Sequence, residues 1–146
     1  MKKTENRKII TGLLAAAGST LTLLPILAPV IFSIIKMIQG GPFLLDYLMP
    51  AELFFVALLG GVMLLWAANR AYSKRGIIGW GSAVAIGSLV GGQLIAVITG
   101  LASGATKADG WQWALVLLSL FIYTASLVVI GITGIILTRE QFQQIR

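Results

Sequence analysis

Four long uncharged runs constrain this chain more than any other feature of its sequence. They cover residues 9–35, 53–69, 76–106 and 110–138. About 20 residues of α-helix cross the hydrocarbon core of a bilayer, so each run is long enough for one crossing and too short for two. The shortest run, 53–69, needs its polar flanks to complete a crossing.

These runs favour α-helices over β-strands as the structure that spans the membrane. A backbone in lipid must satisfy its own hydrogen bonds, which restricts spanning structures to α-helices and closed β-barrels. Barrel strands alternate apolar and polar residues, and the four runs show no such alternation. The sequence therefore predicts an all-α polytopic integral membrane protein, a bundle of four transmembrane helices. We expect one integral-membrane domain over 1–146, with spans near 9–36, 50–71, 77–102 and 111–138.

Composition agrees with a membrane protein and excludes most chemistry. Hydrophobic residues form 58% of the chain and charged residues 11%, and the mean hydropathy is +0.93; soluble domains carry about 25% charged residues. The chain contains no cysteine and no histidine, which removes disulfides, thiol nucleophiles, imidazole bases and the usual ligands of zinc, copper and haem. We predict no enzymatic activity, no metal and no cofactor.

Lysine and arginine predict the orientation in the membrane. Nine of the eleven fall before the first run, between the second and third, or after the fourth: Lys2, Lys3, Arg7, Lys8, Arg70, Lys74, Arg75, Arg139 and Arg146. Basic residues are enriched in cytoplasmic loops, so we expect a cell-membrane protein with both termini in the cytoplasm. The net charge of +6 is then explained by the orientation of the chain in the membrane. We expect the protein's partner to be the lipid bilayer and not nucleic acid.

The first run also has features of a signal peptide. Basic residues precede it, and the small residues of AAAGS, 15–19, resemble a cleavage site. Cleavage there would leave an apolar segment of only 9–14, below the length of about 7 to 15 residues that signal peptides use. We expect the first helix to be retained.

Two prolines one turn apart predict a kink in the first helix. Pro25 and Pro29 each remove a backbone hydrogen bond and crowd the preceding turn, which frees the carbonyls four residues earlier for other partners. The kink is either a static bend, common for proline in membrane helices, or a hinge.

Small residues recur along the third helix at intervals suited to close helix packing. Gly79, Ala83, Gly87 and Gly91 lie four apart, and GSLVG, 87–91, and GLASG, 100–104, have the GxxxG form. Gly92 belongs to a second ridge beside the first. Small residues at this spacing let another helix approach closely, so we predict helix packing here, with other helices of this chain, with a second copy or with another membrane protein.

Polar side chains near the spans give few candidates for a site. Gln93 lies near the middle of the third helix, where it could contact a polar substrate or hydrogen-bond another helix. Asp46 precedes the second helix and Glu52 lies in its first turn; two carboxylates can bind a cation, but their spacing across Pro50 matches no ligand motif. The start of a helix is the simpler interpretation of Pro50 and Glu52. Proline is favoured in the first turn of a helix, and an acidic side chain is favoured near the positive N-terminal end.

Two functions remain open from the sequence. The first is a subunit, regulator or immunity-type partner of another membrane protein, acting through helix–helix contacts. The alternative is a small transporter or channel component, or a holin-like pore former, that uses the kinked first helix, Gln93 and Glu52. Buried charge in the spans, common in proton-coupled transporters, is missing from the sequence.

Overall fold

The computed structural model describes residues 2–39, 53–104 and 110–143. This part of the chain forms four α-helices: α1 (Lys2–Ile38), α2 (Phe54–Ala71), α3 (Arg75–Ile98) and α4 (Trp111–Gln143). All four are long and apolar enough to cross a membrane, which confirms the prediction of an all-helical protein with four potential spans. The 37 residues of α1 make a helix about 55 Å long, so it is longer than a bilayer core.

The helices are antiparallel to their neighbours and form an open arc in the order α2, α1, α4, α3. Extensive contacts join α1 to α2, α1 to α4 and α3 to α4, whereas α2 meets α3 and α4 only sparsely. Because the arc does not close, α2 and α3 are separated by a crevice along much of their length.

Buried residues of the arc are mostly small or aliphatic. Complete burial is reached by Leu64 in α2, Ile78 in α3 and Leu137 in α4, with Ala15, Ala67 and Ala68 filling the spaces between helices. Many large apolar side chains on the outer faces are exposed, including Phe32, Phe55 and Phe121. An exposed apolar surface of this extent suits a protein surrounded by lipid.

Glycines allow close contact at three of the helix interfaces. A Cβ on Gly60 of α2 would lie 2.6 Å from both the amide nitrogen and Oγ1 of Thr22 on α1. A Cβ on Gly134 of α4 would collide with the Ser19 hydroxyl of α1, and one on Gly92 of α3 would collide with the Ser119 hydroxyl of α4. The α1–α2, α1–α4 and α3–α4 interfaces thus each depend on a glycine.

The turn between α2 and α3 is only three residues long. Tyr72 ends α2 in the left-handed conformation with φ 52°, and the amides of Tyr72 and Ser73 donate to the carbonyls of Asn69 and Ala68. This is the Schellman pattern, in which glycine is the usual residue at the left-handed position. Lys74 also has positive φ, so two non-glycine residues carry a conformation that side chains disfavour.

Candidate functional site

Basic residues gather at one end of the bundle, which we call the basic end. Its members whose side chains the structure describes are Arg7, Lys8, Arg70, Lys74, Arg75 and Arg139. Contacts between Gly12 of α1 and Phe142 of α4, and between the α2–α3 turn and Glu140 of α4, bring these segments together. The structure thus places the start of α1, the α2–α3 turn and the end of α4 side by side.

Glu140 ties the α2–α3 turn to α4. One carboxylate oxygen accepts a hydrogen bond of 3.1 Å from the Ser73 hydroxyl, and the other lies 3.7 Å from the Lys74 ammonium. The Arg75 guanidinium lies 5.9 Å from the centre of the Tyr72 ring, within the range of a cation–π contact. The Ser73 and Lys74 contacts with Glu140 thus link this turn to α4.

We expect Glu140→Ala to destabilise the protein only slightly while loosening the turn. The pair is about one-third exposed on each side, and exposed pairs contribute at most about 1 kcal/mol. The free energy of unfolding in detergent should fall by about 1 kcal/mol or less, and protease cleavage within residues 72–75 should become faster. Ser73→Ala, which removes one of the two contacts, should give a smaller increase in cleavage; cleavage unaffected by either change would contradict this role.

The small residues predicted to pack on α3 divide into two groups. Gly92 lies against Ser119 of α4, and a Cβ on Gly79 would meet only the far end of Leu65 at 3.8 Å. At Gly87 and Gly91 the structure places nothing within 4 Å of the position of a Cβ, and Ala83 is exposed. We call the ridge formed by Ala83, Gly87 and Gly91 the open ridge, because no atom of the described chain lies within 4 Å of a Cβ at either of its glycines.

Gln93 is exposed on α3. It lies eleven residues after Ser82 and seven after Ile86, a spacing that places all three on one face of a helix. Ser82 and Ile86 line the crevice between α2 and α3, so Gln93 lies on the crevice side of α3, farther from the basic end.

The crevice is bounded by all four helices. Leu58 and Gly61 of α2 form one wall, Ser82 and Ile86 of α3 form the other, and Tyr123 of α4 contributes to the floor. The space that a water-sized molecule can occupy measures about 60 Å³. Its lining is almost entirely apolar.

Ser82 is unusual among the hydroxyl side chains of the helices. Most of the others donate to a carbonyl three or four residues earlier in the same helix, as serine and threonine commonly do: Thr11, Ser19, Thr20, Thr22, Ser88, Thr99, Ser119, Thr124, Ser126, Thr133 and Thr138. The Ser82 Oγ is buried and has no hydrogen-bond partner. The same is true of the Ser33 Oγ near the end of α1. Buried polar atoms are normally satisfied, and the Ser82 and Ser33 hydroxyls are the two exceptions among the buried side-chain atoms of the described residues.

Some of the other predicted site residues lie outside the part of the chain that the structure describes. Asp46, Glu52 and Pro50 lie outside the described residues. Pro25 and Pro29 lie inside α1, which continues through both as one helix; the kink itself stays a prediction. No group of three or more potential metal ligands occurs within residues 2–39, 53–104 and 110–143.

Sequence reasoning missed the glycines at the close interfaces within the chain and the crevice. Gly18, Gly60 and Gly134 each meet a neighbouring helix directly, yet none belongs to a repeated four-residue spacing. Their only sequence signal is their position within otherwise apolar spans.

The sequence and fold show no similarity that assigns a function. No family model matches the chain, and no curated protein or solved structure matches it.

Proposed function

We propose that this protein is a non-enzymatic integral membrane protein that binds another membrane protein, as a subunit, regulator or immunity-type partner, through the open ridge of α3. The single observation that carries the proposal is the free space beside Gly87 and Gly91. Elsewhere in the described chain, glycines at Gly18, Gly60 and Gly134 admit a neighbouring helix. Small residues are the usual means of close helix approach in lipid, and the open ridge offers the same surface without an occupant from this chain.

The surroundings of the open ridge support an occupant that is itself a transmembrane helix. Trp80 and Leu94 are exposed on the same helix and each lies seven residues, about two turns, from Gly87, so the three residues share one face of α3. A helix packed along this face would contact both side chains and approach the α3 backbone at Gly87 and Gly91.

The basic end supports the proposed orientation. Positively charged loops are retained in the cytoplasm, and the structure brings the described basic segments of the chain to one end. In the proposed arrangement both termini are cytoplasmic in the cell membrane, and the partner is met within the bilayer.

The proposal is tested by Gly87→Leu combined with Gly91→Leu. Two large side chains would block close approach while meeting nothing in this chain, so the fold should be retained and partner binding should fall by about tenfold or more, a change of 1.4 kcal/mol or more. Resonance energy transfer between labelled copies in vesicles measures self-association, and quantitative co-purification from native membranes measures a different partner.

Gly76→Leu is the matched control. It makes the same substitution on the same helix, also with nothing within 4 Å of the Cβ position, but at the basic end and outside the open ridge. It should leave both signals unchanged. If neither signal exists in the wild type, or if the double variant keeps both, the proposed function is wrong.

A further inference from the structure

Positive charge strongly exceeds negative charge at the basic end. Among the side chains that the structure describes there, Glu140 is the only carboxylate beside the basic residues. It offsets one of them, since it lies 3.7 Å from the Lys74 ammonium. By sequence, the first turns of α1 add Lys2, Lys3 and Glu5, which leaves the excess of positive charge in place. A concentration of one charge on this scale attracts a partner of the opposite charge.

Three of the basic residues surround the α2–α3 turn. Arg70 lies near the end of α2, Lys74 lies within the turn and Arg75 begins α3; Arg70 is partly exposed, and Lys74 and Arg75 are exposed. The Arg75 guanidinium lies 5.9 Å from the centre of the Tyr72 ring, and that ring is itself exposed. The turn therefore presents three cations and an amphipathic ring on one short segment.

Exposed tryptophans indicate the depth that this cluster would have in a bilayer. Trp66 lies four residues before Arg70, about 6 Å along α2, and Trp80 lies five residues after Arg75, about 7.5 Å along α3. Both rings are exposed, and tryptophan is enriched where the hydrocarbon meets the headgroups. With the rings at that boundary, the cations of the turn lie at the level of the lipid phosphates.

We propose that the basic end binds the phosphate groups of anionic phospholipids, with Arg70, Lys74 and Arg75 at the centre of the site. Arginine and lysine bind phosphate oxygens through charge-assisted hydrogen bonds. Each basic residue near an anionic membrane surface contributes about 1 kcal/mol, or about fivefold in affinity. A lipid matches the site better than a soluble polyanion does, because the exposed tryptophans connect the cations directly to the apolar surface of the helices. The inference rests on the proposed membrane location and not on the open ridge.

Tryptophan fluorescence in vesicles tests the proposal, because the two ends of the bundle carry different tryptophans. Trp111 begins α4, about 42 Å along that helix from Arg139. Trp111→Phe with Trp113→Phe leaves reporters near the basic end, and Trp66→Phe with Trp80→Phe leaves them at the far end.

The preference of each end is measured with two brominated lipids. Brominated acyl chains quench tryptophan on contact, so quenching by brominated phosphatidylglycerol, compared with brominated phosphatidylcholine, measures the preference for the anionic lipid. Both leaflets of the vesicles have the same composition, so the comparison does not depend on the orientation of the chain.

We expect the reporters near the basic end to prefer phosphatidylglycerol about fivefold or more, and those at the far end to show no preference. Arg70→Gln with Arg75→Gln should reduce the preference to about twofold or less. Arg70→Lys with Arg75→Lys, the matched control that keeps both charges, should retain most of it. Glu140→Gln should raise the preference about twofold, because it frees Lys74 from its ion pair and keeps an oxygen that can accept from the Ser73 hydroxyl.

The opposite results would overturn the lipid site. These are an equal preference at the two ends, or a preference near the basic end that the double glutamine variant leaves unchanged. Loss of the preference on addition of inorganic phosphate or an RNA oligonucleotide, at matched ionic strength, would also overturn it, because the site would then bind a soluble anion. Quenching by neither lipid would overturn the membrane location together with this proposal. Circular dichroism confirms that each variant is folded, and the comparison of the two ends stays valid if the double glutamine variant does not fold.

Discussion

Replacing Gly60 with alanine is expected to lower the free energy of unfolding by about 3 kcal/mol, the upper part of the range for overpacking a tight interface. The added Cβ would lie 2.6 Å from the amide nitrogen of Thr22 and 2.8 Å from the carbonyl oxygen of Gly18. Both are backbone atoms of α1, so no side-chain rotation can relieve the contact. The α1–α2 pair must separate. Equilibrium unfolding in mixed micelles with increasing sodium dodecyl sulfate measures the effect.

Gly61→Ala is the control because it makes the same change at the next residue. A Cβ there meets only the Ser82 Oγ at 3.7 Å, an ordinary contact. Alanine is favoured over glycine in a helix by about 1 kcal/mol, so this variant should be unchanged or slightly more stable. Equal destabilisation by the two variants would show that α1 and α2 do not approach at Gly60.

The second large effect is expected at Gly92. Alanine there would place a Cβ 3.0 Å from the Cβ of Ser119 and against its hydroxyl, which forces α3 and α4 apart. We expect a loss of about 2 kcal/mol in the free energy of unfolding, measured by the same titration. Because the obstacle is a side chain, Ser119→Gly should recover much of this loss, and a double-mutant cycle measures the coupling.

Gly91→Ala separates packing within the chain from packing with a partner. Gly91 precedes Gly92 but has nothing within 4 Å of its Cβ position, so its replacement should leave stability unchanged or raise it slightly. If Gly91→Ala destabilised the isolated protein as much as Gly92→Ala, the open ridge would be in contact with another helix of this chain. The proposed partner surface would then be lost.

The number and approximate extent of the helices could be predicted because they follow from local properties. Uncharged runs of sufficient length determine where a helix can span, and each of the four runs overlaps one of the helices found, although α1 and α4 extend beyond their runs and α3 ends before its run does. The gathering of basic residues at one end follows from the same alternation of runs and charged connections. Neither prediction requires knowledge of which helices touch.

The pairing of helices could not be predicted, because it depends on which face of each helix meets a neighbour. The four-residue spacing on α3 identified a surface suited to packing, but Gly92 packs within the chain while Gly87 and Gly91 do not. Conversely, Gly60 and Gly134 make close contacts without a repeated motif to reveal them.

The crevice and the Ser82 hydroxyl were beyond sequence analysis for a related reason. A cavity formed by four helices has no local pattern, and Ser82 resembles every other serine in the spans until its missing hydrogen bond is seen. Gln93 was identified from the sequence as a polar residue deep in α3, but only the register with Ser82 and Ile86 assigns it to the crevice side.

The open arc also bears on how the chain is assembled during synthesis. Its strong interfaces pair α1 with α2 and α3 with α4, so each helix joins a partner that is adjacent in sequence as soon as the second helix of the hairpin has emerged. Contacts between sequence neighbours close short loops and form quickly. Of the three extensive interfaces, the α1–α4 interface must wait for the fourth helix, and its formation docks one completed hairpin onto the other. The described chain is therefore two helical hairpins joined mainly by one late interface, with the turn at residues 72–74 between them.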